Sequence, residues 1–139
     1  MIKYITEELK TKLYKQYKVY KGLDKVEKDS VVEYYNSYMN KKTTNNRDIE
    51  MHFTDKVIVR YFNPYANNSW LITAGVPISG TDDWMLYGLI NNEWGKCMLS
   101  EIMGLRDKAF NLVIERDLML PPSKYTVREL MGYKGLIVK

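Results

Sequence analysis

The sequence has few of the side chains that metalloenzymes and nucleophilic enzymes use. It contains one histidine, His52, and one cysteine, Cys97, too few for the zinc ligand sets built from Cys and His. The two could form a nucleophilic pair, but a cysteine in an apolar strand usually packs as a small hydrophobe. No Gly-Lys-Ser/Thr sequence is present, and the glycines are too scattered for a phosphate loop. We therefore expect no catalytic residues, no metal and no cofactor.

Long apolar runs are also missing. The longest are about half of what a membrane-spanning helix needs, and residues 1–7 lack the apolar segment of a signal peptide. A single cysteine excludes a disulfide within the chain and is typical of a reducing compartment. These absences lead us to expect a cytoplasmic protein that does not enter a membrane.

The basic excess is concentrated in the first third of the chain. Residues 1–48 carry 11 Lys and Arg against 7 Asp and Glu, whereas residues 49–139 carry 10 of each kind. A length of 139 residues suits one domain. We expect a single domain, 1–139, with a basic, Tyr-rich helical part at 1–48 and a sheet part at 49–139. The basic excess is modest beside that of dedicated nucleic-acid binders.

Capping residues and apolar spacing predict two helices in the first part. Thr6 caps the first helix, which ends near Gly22. Ser30 and Glu33 form a capping box for the second helix, and a polar loop follows at 41–47. The buried stripe of the first helix consists of Leu9, Leu13, Tyr17 and Tyr20, and its opposite face carries Lys12, Lys15 and Lys18.

From residue 57 onward the apolar period changes to two, which is typical of β-strands. Short helices are predicted from Ser100 to about 106, and from Thr126, which forms a capping box with Glu129, to about 132. The expected fold is therefore α+β, with N-terminal helices packed on an antiparallel sheet of about four to five strands and short helices near the C-terminus. Turn residues place the strands at 57–62, 70–74, 84–90, 93–98 and 110–119.

Four acidic residues are the candidates for catalysis or cation binding. Asp82 and Asp83 lie in a loop before the third strand, and Glu115 and Asp117 would point to the same face of the last strand. Such carboxylates hold Mg²⁺ or act as an acid–base pair in hydrolases. We favour the alternative, a structural ion-pair network with nearby arginines. The available cations are Arg60, Arg106 and Arg128.

The aromatic content favours a function in binding. Tyr and Trp dominate interface hot spots because they combine a large rigid area with a polar group. Tyr65 lies in the turn at 63–69, and Trp94 lies just past Asn91-Asn92, a predicted tight hairpin turn. We therefore predict Tyr65 and Trp94 as contacts with a partner protein.

Lysines interleaved with tyrosines suggest a second kind of contact. Seven of the 12 tyrosines lie in the first 38 residues. Aromatic rings stack on unpaired bases while lysines bind phosphates. Lys12, Lys15 and Lys18 are therefore predicted partner contacts too, either with a protein or, together with the 41–47 loop, with nucleic acid.

Several short motifs follow one another along the chain. They are Thr6-Glu7-Glu8-Leu9, Phe62-Asn63-Pro64, Ser69-Trp70-Leu71, Gly88-Leu89, Leu99-Ser100-Glu101 and Ile114-Glu115-Arg116-Asp117. In order and spacing they resemble a bacterial family known as the domain of unknown function 2958. The resemblance covers about half of the chain and leaves out residues 20–50. Lys96-Cys97 departs from the family, where a Gly-Tyr pair is commoner.

The resemblance implies a biological setting and no chemistry. The family has no established catalytic residues, and its members tend to be carried on plasmids, conjugative elements and phages, often beside anti-restriction genes. We therefore expect a non-catalytic binding protein of a mobile element or phage. It would engage a host protein or ribonucleoprotein complex of nucleic-acid-directed defence, as an anti-restriction or anti-CRISPR inhibitor. The alternatives are a small nucleic-acid-binding protein and a carboxylate-based hydrolase.

Overall fold

The computed structural model describes residues 4–22, 54–64, 68–105 and 114–131. In these ranges the elements are α1 (Glu7–Gly22), β1 (Val59–Phe62), β2 (Ser69–Pro77), β3 (Trp84–Ile90), β4 (Glu93–Met98), α2 (Leu99–Gly104), β5 (Glu115–Arg116) and α3 (Val127–Met131). The strands form one antiparallel sheet in the order β4-β3-β2-β1-β5, which confirms the α+β prediction. The predicted second helix and the 41–47 loop lie outside the described residues. None of the described helices is long and apolar enough to cross a membrane.

α1 forms where the sequence predicts it. The Thr6 hydroxyl accepts a hydrogen bond from the Leu9 amide at 3.2 Å, and acidic side chains occupy the first turn. The helix packs closely on β2 because Gly75 lies beneath it, where an added Cβ would be 3.3 Å from the Leu13 Cβ. The predicted stripe is buried, and its members are Leu9, Leu13, Tyr17 and Tyr20.

A polar contact closes the last turn of α1 onto the sheet. The Tyr20 hydroxyl lies 2.7 Å from both the Asp55 carboxylate and the Thr73 hydroxyl. Thr73 and Tyr20 are fully buried, and buried hydroxyls need such partners. The contact therefore fixes the C-terminal end of α1 over β2.

The sheet is covered on both faces. α1 packs on one face, against side chains that include Trp70 and Ile72. α3 packs on the other face, with Leu71 and Leu89. Consequently six consecutive residues of β2, from Trp70 to Gly75, are buried, as expected of a strand that has no solvent-exposed face.

Three residues fix the β3–β4 hairpin and its fit beside β2. Asn91 and Asn92 have φ angles of 51° and 70°, the left-handed conformation of a tight hairpin turn. Gly88 pairs with Gly95 across the hairpin. An added Cβ on Gly88 would lie 2.0 Å from the Leu71 carbonyl oxygen, so β2 and β3 leave no room for a side chain there.

The predicted start of α2 at Ser100 is wrong. The residue that precedes the helix is Met98, whose amide donates to the Glu101 carboxylate at 2.8 Å. Ser100 instead bonds the Asp83 carboxylate through its backbone amide and its hydroxyl. The helix ends at Gly104 rather than near residue 106.

The last strand is shorter than predicted. In the described part of the predicted strand 110–119, only Glu115 and Arg116 pair with β1. The chain then turns, because the Asp117 carboxylate accepts a hydrogen bond from the Met119 amide at 2.9 Å. β1 also begins later than predicted, and β2 extends beyond both predicted ends.

Candidate functional site

Residues 117–123 form a raised segment on the edge of the sheet, which we call the arch. At one end the Asp117 amide donates to the Arg60 carbonyl at 2.9 Å. At the other end the Ser123 amide donates to the Val57 carbonyl at 3.0 Å. The five arch residues between these bonds, 118–122, lie opposite only two residues, 58 and 59, so they must rise from the edge.

A buried ion pair fixes the first end of the arch. Arg60 Nη1 lies 3.5 Å from Asp117 Oδ2, and both side chains are more than nine-tenths buried. Burial lowers the pKa of Arg60, and the charge of Asp117 opposes that shift. The Arg60 guanidinium also lies over the Phe62 ring, 4.7 Å from its centroid. Among the arginines that the sequence offers as cations for the acidic residues, Arg60 is the one that pairs with Asp117.

Backbone constraints fix the second end of the arch. Ser123 has a φ angle of +64°, a left-handed conformation that costs a non-glycine residue on the order of 1 kcal/mol. Pro121 and Pro122 precede it, and their rings hold φ near one value. The arch therefore has few accessible conformations.

Two apolar side chains at the start of the arch face solvent. Leu118 is 58% exposed and Met119 is 82% exposed, whereas the next residue, Leu120, is buried against Val127 and Leu130 of α3. A flexible loop would lower its exposed apolar area by folding these side chains inward. Here the constrained backbone and the buried Leu120 hold them outward.

A cleft of about 390 Å³ lies between the arch and the start of α1. Its apolar lining includes Leu9 of α1, Ile58 beside β1, and Leu118 and Pro121 of the arch. The cleft and the exposed arch residues together form one continuous candidate binding site.

The charged groups that line the cleft differ in whether they already have a partner within the protein. Asp117 is paired with Arg60, and Arg116 is partly buried and has an interaction partner of its own. Glu8, in the first turn of α1, is exposed and makes no ion pair within the described ranges. The cleft therefore presents one carboxylate that is open to a cationic group.

The structure does not bring the four candidate acids together in this cleft. Asp117 lines it, but Asp82, Asp83 and Glu115 do not. The Asp83 carboxylate accepts bonds from the Trp84 amide at 2.8 Å and the Ser100 amide at 3.0 Å, so it joins β3 to α2. No cluster of three or more potential metal-ligating His, Cys, Asp or Glu occurs in the described part of the chain.

Cys97 packs as a hydrophobe, as the sequence predicts. Its side chain packs against the buried residues beneath both halves of α1. Burial, the largest cause, and the nearby carboxylates of Glu101 and Asp83 raise the pKa of the thiol. A thiol with a raised pKa is a poor nucleophile. His52, its possible partner in a nucleophilic pair, lies outside the described residues.

The predicted aromatic contacts have different positions. Trp94 is partly buried. Its ring and that of Tyr20 pack in a T-shaped arrangement, with 6.1 Å between the ring centroids. One side of Trp94 therefore supports α1, and its contact with a partner stays a prediction. Tyr65 lies outside the described residues.

The predicted basic contacts lie on the outer side of α1. Lys15 and Lys18 are exposed, and Lys12 is partly buried. The Lys18 ammonium lies 5.0 Å above the ring of Tyr14, which is 42% exposed. These residues make a basic and aromatic surface separate from the cleft, because none of them lines it.

Sequence reasoning missed the arch. We predicted residues 110–119 as one strand because their apolar residues alternate, which placed Leu118 within the sheet. Two signals of a turn were present: Asp117, a residue type that caps turns, and Pro121-Pro122. The exposure of Leu118 and Met119 follows from that turn.

A family model described as "Protein of unknown function (DUF2958)" matches residues 35–127. The match spans about two thirds of the chain and includes residues 35–50, which the motif resemblance left out. It also includes β1 to β5, the whole arch and most of the residues that line the cleft, although α1 precedes it. No curated protein and no solved structure matches the chain.

Proposed function

The chain belongs to the DUF2958 family, and we propose that it is a non-catalytic binding protein that docks on a host protein through the arch and the cleft. The observation that carries the proposal is the exposure of Leu118 and Met119 on the arch. Apolar side chains held outward beside a cleft are typical of a protein-binding surface.

The ion pair beneath the arch supports this interpretation. Buried ion pairs contribute little to stability and often less than apolar residues of the same size. The Arg60–Asp117 pair instead fixes geometry, because the second Asp117 oxygen accepts the Met119 amide. The pair therefore positions one of the two exposed side chains.

The engagement of the acidic residues also supports binding over hydrolysis. Asp117 pairs with Arg60, Asp83 joins β3 to α2, and Glu101 caps α2. Glu129 caps α3 by accepting the Thr126 amide, and this bond lowers the pKa of Glu129. Carboxylates committed to such contacts are poor candidates for proton transfer.

The biological setting that we propose follows from the motif resemblance. The protein would act in a bacterial cytoplasm on behalf of a plasmid, conjugative element or phage. Its partner would be a host protein or ribonucleoprotein complex, such as a nucleic-acid-directed defence system that it inhibits.

Affinity capture from a nuclease-treated bacterial lysate tests the proposal. The bait would be the wild-type chain, the arch variant Leu118→Ser/Met119→Ser, and a control with Lys15→Glu/Lys18→Glu on the outer side of α1. We expect the wild type and the lysine control to retain the same host protein and the arch variant to lose it. If the wild-type chain captures only nucleic acid from an untreated lysate and no protein from the nuclease-treated lysate, the proposal is contradicted.

Nucleic-acid binding through α1 is the second candidate function. It is favoured by the exposed Lys15 and Lys18 beside the partly exposed ring of Tyr14. We expect Lys15→Glu/Lys18→Glu to weaken binding to single-stranded DNA or RNA and to reduce the dependence of the binding constant on salt. Unchanged affinity and salt dependence would exclude this candidate.

A further inference from the structure

We infer that the cleft takes a peptide segment of the partner in which an apolar side chain stands beside a Lys or Arg. This inference rests on the proposed function and names the chemistry of the partner. Leu118 and Pro121, which are exposed, line the part of the cleft that receives the apolar side chain, and Glu8 receives the cation.

The charge of the partner follows from the engagement of the cleft residues. Asp117 is already paired with Arg60, and Arg116 also has an interaction partner. Glu8 is exposed and keeps its carboxylate open. A cationic side chain at this position gains a favourable interaction, whereas an anionic one would be repelled by Glu8.

The exposed arch residues beside the cleft favour a peptide over a small molecule. Leu118 lines the cleft while remaining 58% exposed, and Met119 lies beyond it. A small molecule inside the cleft would leave Met119 in water, whereas an extended peptide would cover both side chains.

A neighbouring residue provides a matched control for Glu8. Glu7 occupies the same first turn of α1 and carries the same charge. Its carboxylate is 3.2 Å from the Lys10 ammonium, and it does not line the cleft. Replacement of either glutamate changes the net charge equally, so only a local contact would distinguish them.

Selection from a phage-displayed library of short random peptides on the immobilised full chain tests the inference. We expect the enriched peptides to place Lys or Arg beside Leu, Ile, Met or Phe. Fluorescence anisotropy with a synthetic enriched peptide should show about fivefold weaker binding to Glu8→Gln, a larger loss with Glu8→Lys, and no change with Glu7→Gln.

The outcomes separate this inference from the proposed function. Enriched peptides without a basic residue, or equal binding by Glu8→Gln and wild type, would overturn the inference. The proposed function would still stand in that case if Leu118→Ser/Met119→Ser no longer binds the peptide. The absence of any enriched peptide would also overturn it, as expected if the cleft takes a small molecule or a second copy of the chain. Full binding by the arch variant would contradict the proposed function.

Discussion

Arg60 and Asp117 form a buried ion pair, with 3.5 Å between Nη1 and Oδ2, at the point where the arch leaves the sheet. The same two residues are joined through the Asp117 amide and the Arg60 carbonyl. The Arg60 Nε has no hydrogen-bond partner in the described ranges, so the compensation for burying the two charges is incomplete. The pair is therefore better explained by the position that it gives the arch than by stability.

Replacement of one member of this pair should be far more costly than replacement of both. We expect Asp117→Leu to lower the free energy of unfolding by about 3–5 kcal/mol, because it leaves the Arg60 charge buried alone. The double variant Arg60→Met/Asp117→Leu should recover most of that loss in urea unfolding followed by tryptophan fluorescence. Partner binding should not recover, since the acceptor for the Met119 amide is gone. A double variant that binds the partner normally would show that the pair does not position the arch.

Ser123 should be a site where glycine stabilises the fold. Its φ angle of +64° strains a residue with a Cβ, whereas glycine adopts it freely. Glycine loses more chain entropy on folding, which offsets part of the relieved strain. We therefore expect Ser123→Gly to raise the free energy of unfolding by about 0.5 kcal/mol. Ser123→Val should lower it by about 1 kcal/mol or more, because β-branched residues rarely adopt positive φ. Equal stability of the two variants would contradict the strained geometry.

Gly88 and Gly95 face each other across the β3–β4 hairpin and should respond differently to alanine. An added Cβ at Gly88 would meet the Leu71 carbonyl oxygen at 2.0 Å, whereas nothing lies within 4 Å of one at Gly95. We expect Gly88→Ala to destabilise by about 3 kcal/mol or more and Gly95→Ala to change stability by less than about 0.5 kcal/mol. Thermal unfolding of the two variants measures the difference, and similar midpoints would exclude the close approach of β2 and β3.

Lys96 should make stability depend on pH in the alkaline range. Burial lowers its pKa to about 8, below the value of about 10.4 in an unfolded chain. Between these values the unfolded state binds more protons, so the contribution of Lys96 to stability is least favourable below pH 8 and improves as pH rises toward about 10. The free energy of unfolding of the wild type, relative to that of Lys96→Met, should therefore rise between about pH 8 and pH 10. A difference independent of pH would show that the amine is solvated.

The elements that the sequence predicts correctly depend on local chemistry. Thr6 caps α1, Asn91 and Asn92 adopt positive φ in a tight turn, and Thr126 with Glu129 caps α3. Each of these involves residues at most three positions apart. Their side chains and backbone groups determine the structure without knowledge of the rest of the fold.

The arch could not be predicted in this way because a distant residue determines it. Alternating apolar residues predict a strand through Leu118. The strand ends earlier since Asp117 pairs with Arg60, which lies 57 positions away in the sequence. The sequence names Arg60 as a possible cation for Asp117, but only the fold shows that this pairing coincides with the end of β5.

The position of Trp94 also depends on packing between distant elements. Its place after the hairpin turn predicts exposure, but Tyr20 at the end of α1 lies against its ring. The ends of α1 and of β4 come together only because α1 crosses the sheet. Local residues alone therefore do not determine how much of this tryptophan a partner could contact.

Hydrogen–deuterium exchange of the chain, free and bound to the captured host protein, tests the central claim most directly. Docking through the arch predicts slower exchange on binding at the amides of Leu118, Met119 and Leu120 and in the first turn of α1. The amides of β3, an inner strand that is paired on both sides, should not change. Slower exchange confined to the Lys15–Lys18 part of α1, with the arch unchanged, would contradict the account.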